Sequence, residues 1–293
     1  FNGEIYNYLE IKDTLIKQGH RFQTESDTEV VIQALDRWGK DAFNLFEGMW
    51  ALALFSRSEN TLLLSRDVFG EKPLYFYRPS IEDFFFGSEI KYLSSLAEIS
   101  FQPNLNHLSR FLVNGYKSLY KVNETFFENI EELDPGQCLE INEGNITEKF
   151  KYWHPVFHEE NDMDFHEAVK GARDKLIRSV KLRLRSDVPI AFQMSGGVDS
   201  NSLISIAKKV FNYDVHGFTI TNQDNRYEEK EMVDSSIRDL GIKHSYISVG
   251  PKSFLDNMKI LTRYHDGPIL TITYYLSWLL QKEINRKNYK ISI

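Results

Sequence analysis

The chain of 293 residues carries a formal charge of −7, with 42% hydrophobic and 14% aromatic residues. That apolar content fills one large or two ordinary cores, and no apolar run nears the roughly 20 residues that cross a bilayer, so no membrane partner is expected. The acidic balance gives no electrostatic reason to expect nucleic acid, and a single cysteine, Cys138, excludes an internal disulfide framework and fits a cytoplasmic protein.

The chain opens at Phe1 inside patterned sequence and closes on "KISI", a strand-like run with no turn after it, so both ends read as cut. From Tyr6 to Gly19 the apolar residues Leu9, Ile11, Leu15 and Ile16 fall at helical spacing, with Gly19 as the stop. "DTEVVIQALDRWG" repeats the arrangement over 27–39, with Asp27 as cap, Glu29 in the first turn and Gly39 at the end. The period then changes. "MWALALFSRSENTLLLSRD" reads as a hairpin turning at "SRSEN", "KPLYFYRPSIEDFFFGSE" as a second around "PSIED", and "ELDPGQCLEINEGNITEKFKYWHP" as a third at "NEGN". Hairpins beside a few helices predict an antiparallel α+β domain over 1–155.

"HEENDMDFHE" is acidic and aperiodic, which places a domain boundary near 155–164. "FHEAVKGARDKLIRSVKLRL" then predicts an amphipathic helix with Ala168, Leu176, Ile177 and Val180 on its inner face. Strands at "VPIAFQM", "VHGFTIT" and "HSYISV" alternate with helices at "DSNSLISIAKKVF" and "YEEKEMVDSSIRDLG". That alternation predicts an α/β domain over 165–293 built on a doubly wound parallel sheet.

In such a sheet ligands bind beyond the carboxyl ends of the strands, and "SGGVDS", 195–200, joins a strand end to a helix start. Gly196 and Gly197 let an anion approach the backbone N–H groups, Ser195 and Ser200 add hydroxyl donors, and the helix dipole adds partial positive charge. Asp199 beside a phosphate requires a cation between them, which assigns it to Mg2+. The same residues also read as a plain strand-to-helix turn. Neither the Walker pattern nor "GxGxxG" is present.

"SGGVDS" resembles the pyrophosphatase loop of ATP-dependent synthetases that adenylate a substrate. The resemblance implies that Ser195, Gly196, Gly197, Val198, Asp199 and Ser200 hold pyrophosphate, that Asp199 helps bind Mg2+, and that Met194 and Ile220 hold the adenosine of ATP through backbone groups.

In the first domain, Asn2 offers an amide donor and Gly3 an unshielded N–H, a pair suited to an oxyanion in acyl transfer. Glu4 and Asp27 are carboxylates suited to the α-ammonium of an amino acid. Taken singly, "NGE" also reads as a turn and Asp27 as a helix cap. Yet "FNGEIYN", "TESDTEVV", "GMWALALF", "SRDVFGEKPLY" and "GSEIKYL" follow the order of the class II glutamine amidotransferase domain. "LDPGQCLEI" with "KYWHP", and then "SDVPIAFQMSGGVDS", extend the likeness over nearly the whole chain to the glutamine-hydrolysing asparagine synthetases.

This resemblance implies an Ntn amidohydrolase-type domain over 1–155 and an ATP-pyrophosphatase domain over 165–293, both incomplete. It makes Asn2 and Gly3 the oxyanion hole, and gives Asn2, Gly3, Glu4 and Asp27 to glutamine. It implies small-molecule partners (glutamine, aspartate and ATP) and leaves a homodimer open. "RDVFGEKPLY" and "SEIKYL" would line an ammonia route. The family's N-terminal cysteine nucleophile does not match Cys138, which reads as a small buried side chain. Its second metal-binding acidic segment and later lysine are not matched either, so the chain by itself is expected to be inactive. His265 and Asp266 read as either acyl-substrate contacts or a surface turn. An amidotransferase for another carboxylate and a non-catalytic nucleotide-binding module stay as alternatives.

Overall fold

Local signals set the first elements. In the computed structural model, which describes residues 1–156, 163–221, 229–250 and 253–293, strand β1 (Asn2–Ile5) leads into helix α1 (Tyr8–Lys17). Gly19, at a φ of +95°, carries the chain out of α1. The apolar stripe is narrower than its spacing suggests: Ile11 and Leu15 are buried, whereas Leu9 and Ile16 face outward. One turn separates the two buried residues, and that single row is what α1 presents to helix α2 (Asp27–Trp38).

The cap of α2 is Ser26, not Asp27. The Ser26 hydroxyl accepts from the Thr28 N–H at 3.2 Å, which satisfies an orphan donor of the first turn. Asp27 lies one residue inside the helix, and its carboxylate is thereby free to reach β1. Gly39, at a φ of +58°, ends the helix as expected.

The three expected hairpins form. They are β2 (Gly48–Ser56) with β3 (Thr61–Arg66), β4 (Tyr75–Tyr77) with β5 (Phe85–Gly87), and a third built from later strands. Helices α3 (Ile90–Ala97) and α4 (Leu105–Asn114) intervene before β6 (Ile130–Glu132), and β7 (Gln137–Asn142) with β8 (Asn145–Lys151) make that third hairpin. The strands assemble as a five-stranded sheet, β1-β2-β3-β7-β8, and a three-stranded sheet, β5-β4-β6, with antiparallel pairing throughout.

The two-residue period sorts the core. Trp50, Leu52, Leu63 and Cys138 cluster with α1 and α2, while Ala51, Leu64, Leu139 and Ile141 cluster with Leu74 and Phe76 on the opposite face. Trp50 is fully buried between Phe43 and Tyr152, at centroid distances of 6.4 and 6.2 Å. Its indole N–H donates to Ser65 Oγ at 3.1 Å, so a side chain worth roughly 1.5–3 kcal/mol of burial leaves no polar atom unpaired.

The chain divides into two compact units, Phe1–His158 and Glu159–Ile293. The boundary expected across 155–164 lies largely outside the described residues, as do the first two residues of "YEEKEMVDSSIRDLG". The second unit starts on helix α5 (Phe165–Arg183), where Asp164 and Glu167 form a reciprocal capping box. Its expected inner face is corrected: Ala168 and Leu176 are exposed, Ile177 is half-buried, and burial is reached at Val180 and Leu182. The helix packs by its carboxyl end against residues 206–210, which leaves the earlier turns in solvent.

Beyond α5, β9 (Ile190–Gln193), α6 (Val198–Ser205) with a π turn over Ile206–Val210, and β10 (His216–Thr221) follow in order. Next come α7 (Lys230–Leu240), β11 (Lys243–Ser248), α8 (Phe254–His265), α9 (Ile272–Arg286) and β12 (Ile291–Ser292). All four strands run parallel in the order β11-β10-β9-β12. Ile190, Phe192 and Met194 pack on one face with residues of α6 and α7, and Ala191 and Phe218 pack on the other with Leu280 and Ile284 of α9. The sheet is therefore covered on both faces, the doubly wound arrangement. Among the described residues, no helix is long and apolar enough to cross a membrane.

Candidate functional site

In the first unit, β1 is the edge of its sheet, and it lies unusually close to β2. A Cβ on Gly3 would fall 2.1 Å from Met49 O and 2.7 Å from Trp50 Cα, so only glycine fits opposite Trp50. Backbone amides alternate in direction along a strand. The Tyr6 N–H donates to Glu47 O at 2.8 Å on the sheet side, while the Ile5 N–H donates to Asp27 Oδ2 at 3.0 Å on the open side. By that alternation the Gly3 N–H points to the open side as well. The structure thus brings the two expected segments together: a half-exposed amide at Gly3 and the Asp27 carboxylate share one edge. Asn2 Nδ2 donates to Ser88 Oγ at 3.1 Å, which ties "GSEIKYL" to the same strand. Glu4 is exposed on β1.

The loop before α2 is held by Glu29, whose carboxylate accepts from Thr24 Oγ1 and from the N–H groups of Thr24 and Gln23. The Thr24 hydroxyl bond is the main reason that its acidity is strengthened. Buried Asn7, unassigned by pattern, donates to Leu45 O at 2.8 Å and accepts from the Glu47 N–H at 2.9 Å, which locks the end of β1.

"RDVFGEKPLY" is shaped by two buried charges. Asp67 accepts from the backbone N–H groups of Trp50, Phe69, Glu71 and Lys72 at 2.9–3.2 Å. Arg66 donates to the carbonyls of Lys72, Gly70 and Leu133 and pairs with Glu132 at 2.8 Å. Every buried charge here has hydrogen-bond partners, which is what makes its burial tolerable. Cys138 is fully buried, and burial pushes its thiol up to about 12, so it is an inert core side chain and not a nucleophile.

In the second unit, the 195–200 loop leaves the carboxyl end of β9 and enters α6 with Gly197 as its cap residue. The Gly197 N–H donates to Ser195 Oγ at 3.2 Å, the Ser195 N–H to Ser200 Oγ at 3.2 Å, and the two hydroxyls pair at 2.9 Å. Asn201, which pattern reading passed over, donates through Nδ2 to Ser195 O at 2.9 Å and Gly197 O at 2.7 Å. Val198 and Asp199 are exposed on the first turn, where backbone N–H groups have no helical partner. The Gly196 N–H is taken at 2.6 Å by the carboxylate of Glu229, the residue before α7.

Met194 is buried, its N–H donating to Phe218 O at 2.8 Å and its carbonyl accepting from the Thr219 hydroxyl at 2.7 Å. Thr219 in turn accepts from His244 Nε2 at 2.9 Å, which fixes the tautomer. His244 Nδ1 is buried without a partner among the described residues, and burial holds this ring's pKa down to about 4. Ile220 lies half-buried near the carboxyl end of β10, paired in register with Ile247. Asp266 adopts a left-handed conformation that ends α8 within "RYHDG".

Against known proteins, residues 1–153 match the glutamine amidotransferase domain family and residues 171–293 the asparagine synthase family. Asparagine synthetase [glutamine-hydrolyzing] 1 of Bacillus subtilis is 30% identical over 275 residues, 92% of this chain and 42% of that protein. Asparagine synthetase [glutamine-hydrolyzing] 2 of the same organism is 35% identical over 242 residues, 77% of this chain and 32% of that protein. A putative asparagine synthetase [glutamine-hydrolyzing] 2 of Methanocaldococcus jannaschii is 28% identical over 279 residues, 92% of this chain and 51% of that protein. The chain thus spans about half or less of the length of these relatives. With the first family covering more than half of the chain and the second most of the remainder, the chain belongs to the glutamine amidotransferases of the asparagine synthetase type.

Proposed function

We propose that the protein serves glutamine-dependent asparagine synthesis, with 1–155 as the glutaminase domain and 165–293 as the ATP-using domain. One observation carries the reading: an edge amide at Gly3 with Asp27 beside it occurs in the same chain as a glycine loop that joins a parallel strand to a helix start. Glutamine is gripped by Glu4 and Asp27, the latter on its α-ammonium. The Gly3 N–H and the Asn2 amide face the oxyanion as the side-chain amide is cleaved. The nucleophile is not Cys138; in the reading implied by family it is an N-terminal cysteine that these 293 residues do not hold.

In the second domain, ATP and the side-chain carboxylate of aspartate give an aspartyl adenylate and pyrophosphate. Ammonia then displaces AMP to leave asparagine. Adenylation is required because a free carboxylate is a poor acyl donor. Residues 195–200 hold the departing pyrophosphate, and the strand ends at Met194 and Ile220 face the adenosine. The Met194 N–H is already bonded within the sheet, so its carbonyl, with one lone pair left, is the group available.

Among the described residues, no three His, Cys, Asp or Glu side chains gather to hold a metal. The exposed Asp199 carboxylate still fits Mg2+, which ordinarily takes one or two carboxylates and completes its shell with phosphate oxygens and water. When bound, Mg2+ supplies charge neutralisation between Asp199 and the phosphates.

The test uses the full-length gene product with ATP, Mg2+ and glutamine, and follows pyrophosphate with and without aspartate. Aspartate-dependent release with asparagine formed in step supports the reading. Glutamine hydrolysis with release indifferent to aspartate moves the acyl acceptor to another carboxylate, and absence of both leaves a nucleotide-binding module.

A further inference from the structure

We infer that Glu229 competes with phosphate for the cradle: its carboxylate holds the Gly196 N–H that an entering anion needs, and so sets the affinity of the loop. The inference rests on the phosphate reading of residues 195–200 given above. It deepens that reading by naming a side chain that the ligand must displace.

The contact is short, with Glu229 Oε2 at 2.6 Å from Gly196 N. Glu229 is the cap residue of α7, yet its side chain makes no capping bond to its own helix. It reaches instead to a loop 33 residues earlier. Gly196 permits the approach, since a Cβ there would lie 2.9 Å from Met232 Cε and 3.2 Å from Glu229 Cβ. The start of α7 therefore rests directly on the loop. Two other loop amides are held by neutral acceptors, Gly197 N–H by Ser195 Oγ and Ser195 N–H by Ser200 Oγ.

Among the described acceptors on these amides, Glu229 alone carries a full charge, and charge-assisted hydrogen bonds are about twice as strong as neutral ones. An N–H serves one strong acceptor at a time, and a carboxylate and a phosphate oxygen repel at such spacing. The protein without nucleotide thus carries its own anion in the cradle. Pyrophosphate entry opens the contact between the loop and the start of α7, and the apparent affinity is lowered by the fraction of molecules in which Glu229 is seated.

Titration calorimetry with magnesium pyrophosphate on the 293-residue chain, E229Q and E229A tests this. Competition predicts binding about tenfold tighter in E229A, the scale of one charge-assisted bond removed, and a smaller shift in the same direction in E229Q. Binding that is normal in the parent chain and unchanged or weaker in both variants overturns it, and makes Glu229 a strut for the loop. If none of the three binds, the phosphate reading itself fails and the inference falls with it. A thermal melt checks the folding of E229A. Should that variant not fold, E229Q decides, because it keeps an acceptor oxygen and loses only the charge.

Discussion

At the scale of single residues, two positions have effects large enough to isolate. Gly3 faces backbone atoms that cannot swing aside, with Met49 O and Trp50 Cα inside 3 Å of any added Cβ. Gly3→Ala must therefore push β1 off β2, and overpacking of this kind costs about 1–3 kcal/mol. Urea unfolding followed by tryptophan fluorescence, to which Trp38, Trp50 and Trp153 of the first unit contribute, should report that loss, and a change below about 0.5 kcal/mol would refute the close approach. His244 acts through pH. Its folded pKa of about 4 lies below its ordinary 6.5 because burial disfavours the charged ring. As pH falls, the unfolded chain takes the proton first, so the stability of the neutral ring is complete above 6.5 and lost toward 4. The ring keeps partial access to solvent, so the loss is discounted to about 1 kcal/mol. H244Q retains a donor for Thr219 and does not titrate. Urea midpoints at the two ends of that window should fall further for the parent chain than for H244Q, and equal falls would sink the claim.

At the scale of elements, the junction of β9 and α6 depends on a side chain outside the recognisable motif. Asn201 bonds two loop carbonyls, and about 1–2 kcal/mol is at stake for the pair. Asn201→Ala should loosen the loop and weaken magnesium pyrophosphate. Asn201→Asp should weaken it more, because a carboxylate cannot donate and meets the same carbonyls with negative charge. Equal affinity in both variants would mean that the loop is held elsewhere. The contrast with residues 195–200 shows what sequence makes legible. Glycine pairs, hairpin turns and apolar periods are local, so the hairpins, the strand–helix alternation of the second unit and the "SGGVDS" loop are legible in short windows, whereas the strand order within each sheet is not. Asn7 reaching Leu45 and Glu47, and Glu229 reaching Gly196, join segments with no period between them. Ser26 and Asp27 are equally good caps by residue type, and only the position of β1, which takes the Asp27 carboxylate, decides for Ser26. The inner face of α5 is shorter than its period implies for a related reason: periodicity shows which residues share a face, not how much of that face is covered.

At the scale of the whole molecule, each hydrophobic cluster draws its residues from one unit, and the two candidate sites fall in different units. Ligand bound to a native site adds stability to whatever unfolds with that site, about 2.7 kcal/mol at a hundredfold excess over Kd. If the units unfold independently, magnesium pyrophosphate must protect one and leave the other untouched. Native-state hydrogen exchange can read both at once. At a hundredfold excess, core amides of β9 and β10 should exchange about a hundredfold more slowly, while those of β2, β3 and β7 keep their rates. Uniform slowing across both sheets would show that the chain unfolds as one cooperative body. In that case a mutation such as Gly3→Ala would lower the stability of the 195–200 loop as much as that of its own sheet, and effects on the two candidate sites could not be separated by unit. Protection confined to the second unit would instead let each candidate site be varied on its own, so that a substitution on β1 and one in the 195–200 loop test the two halves of the proposed function separately.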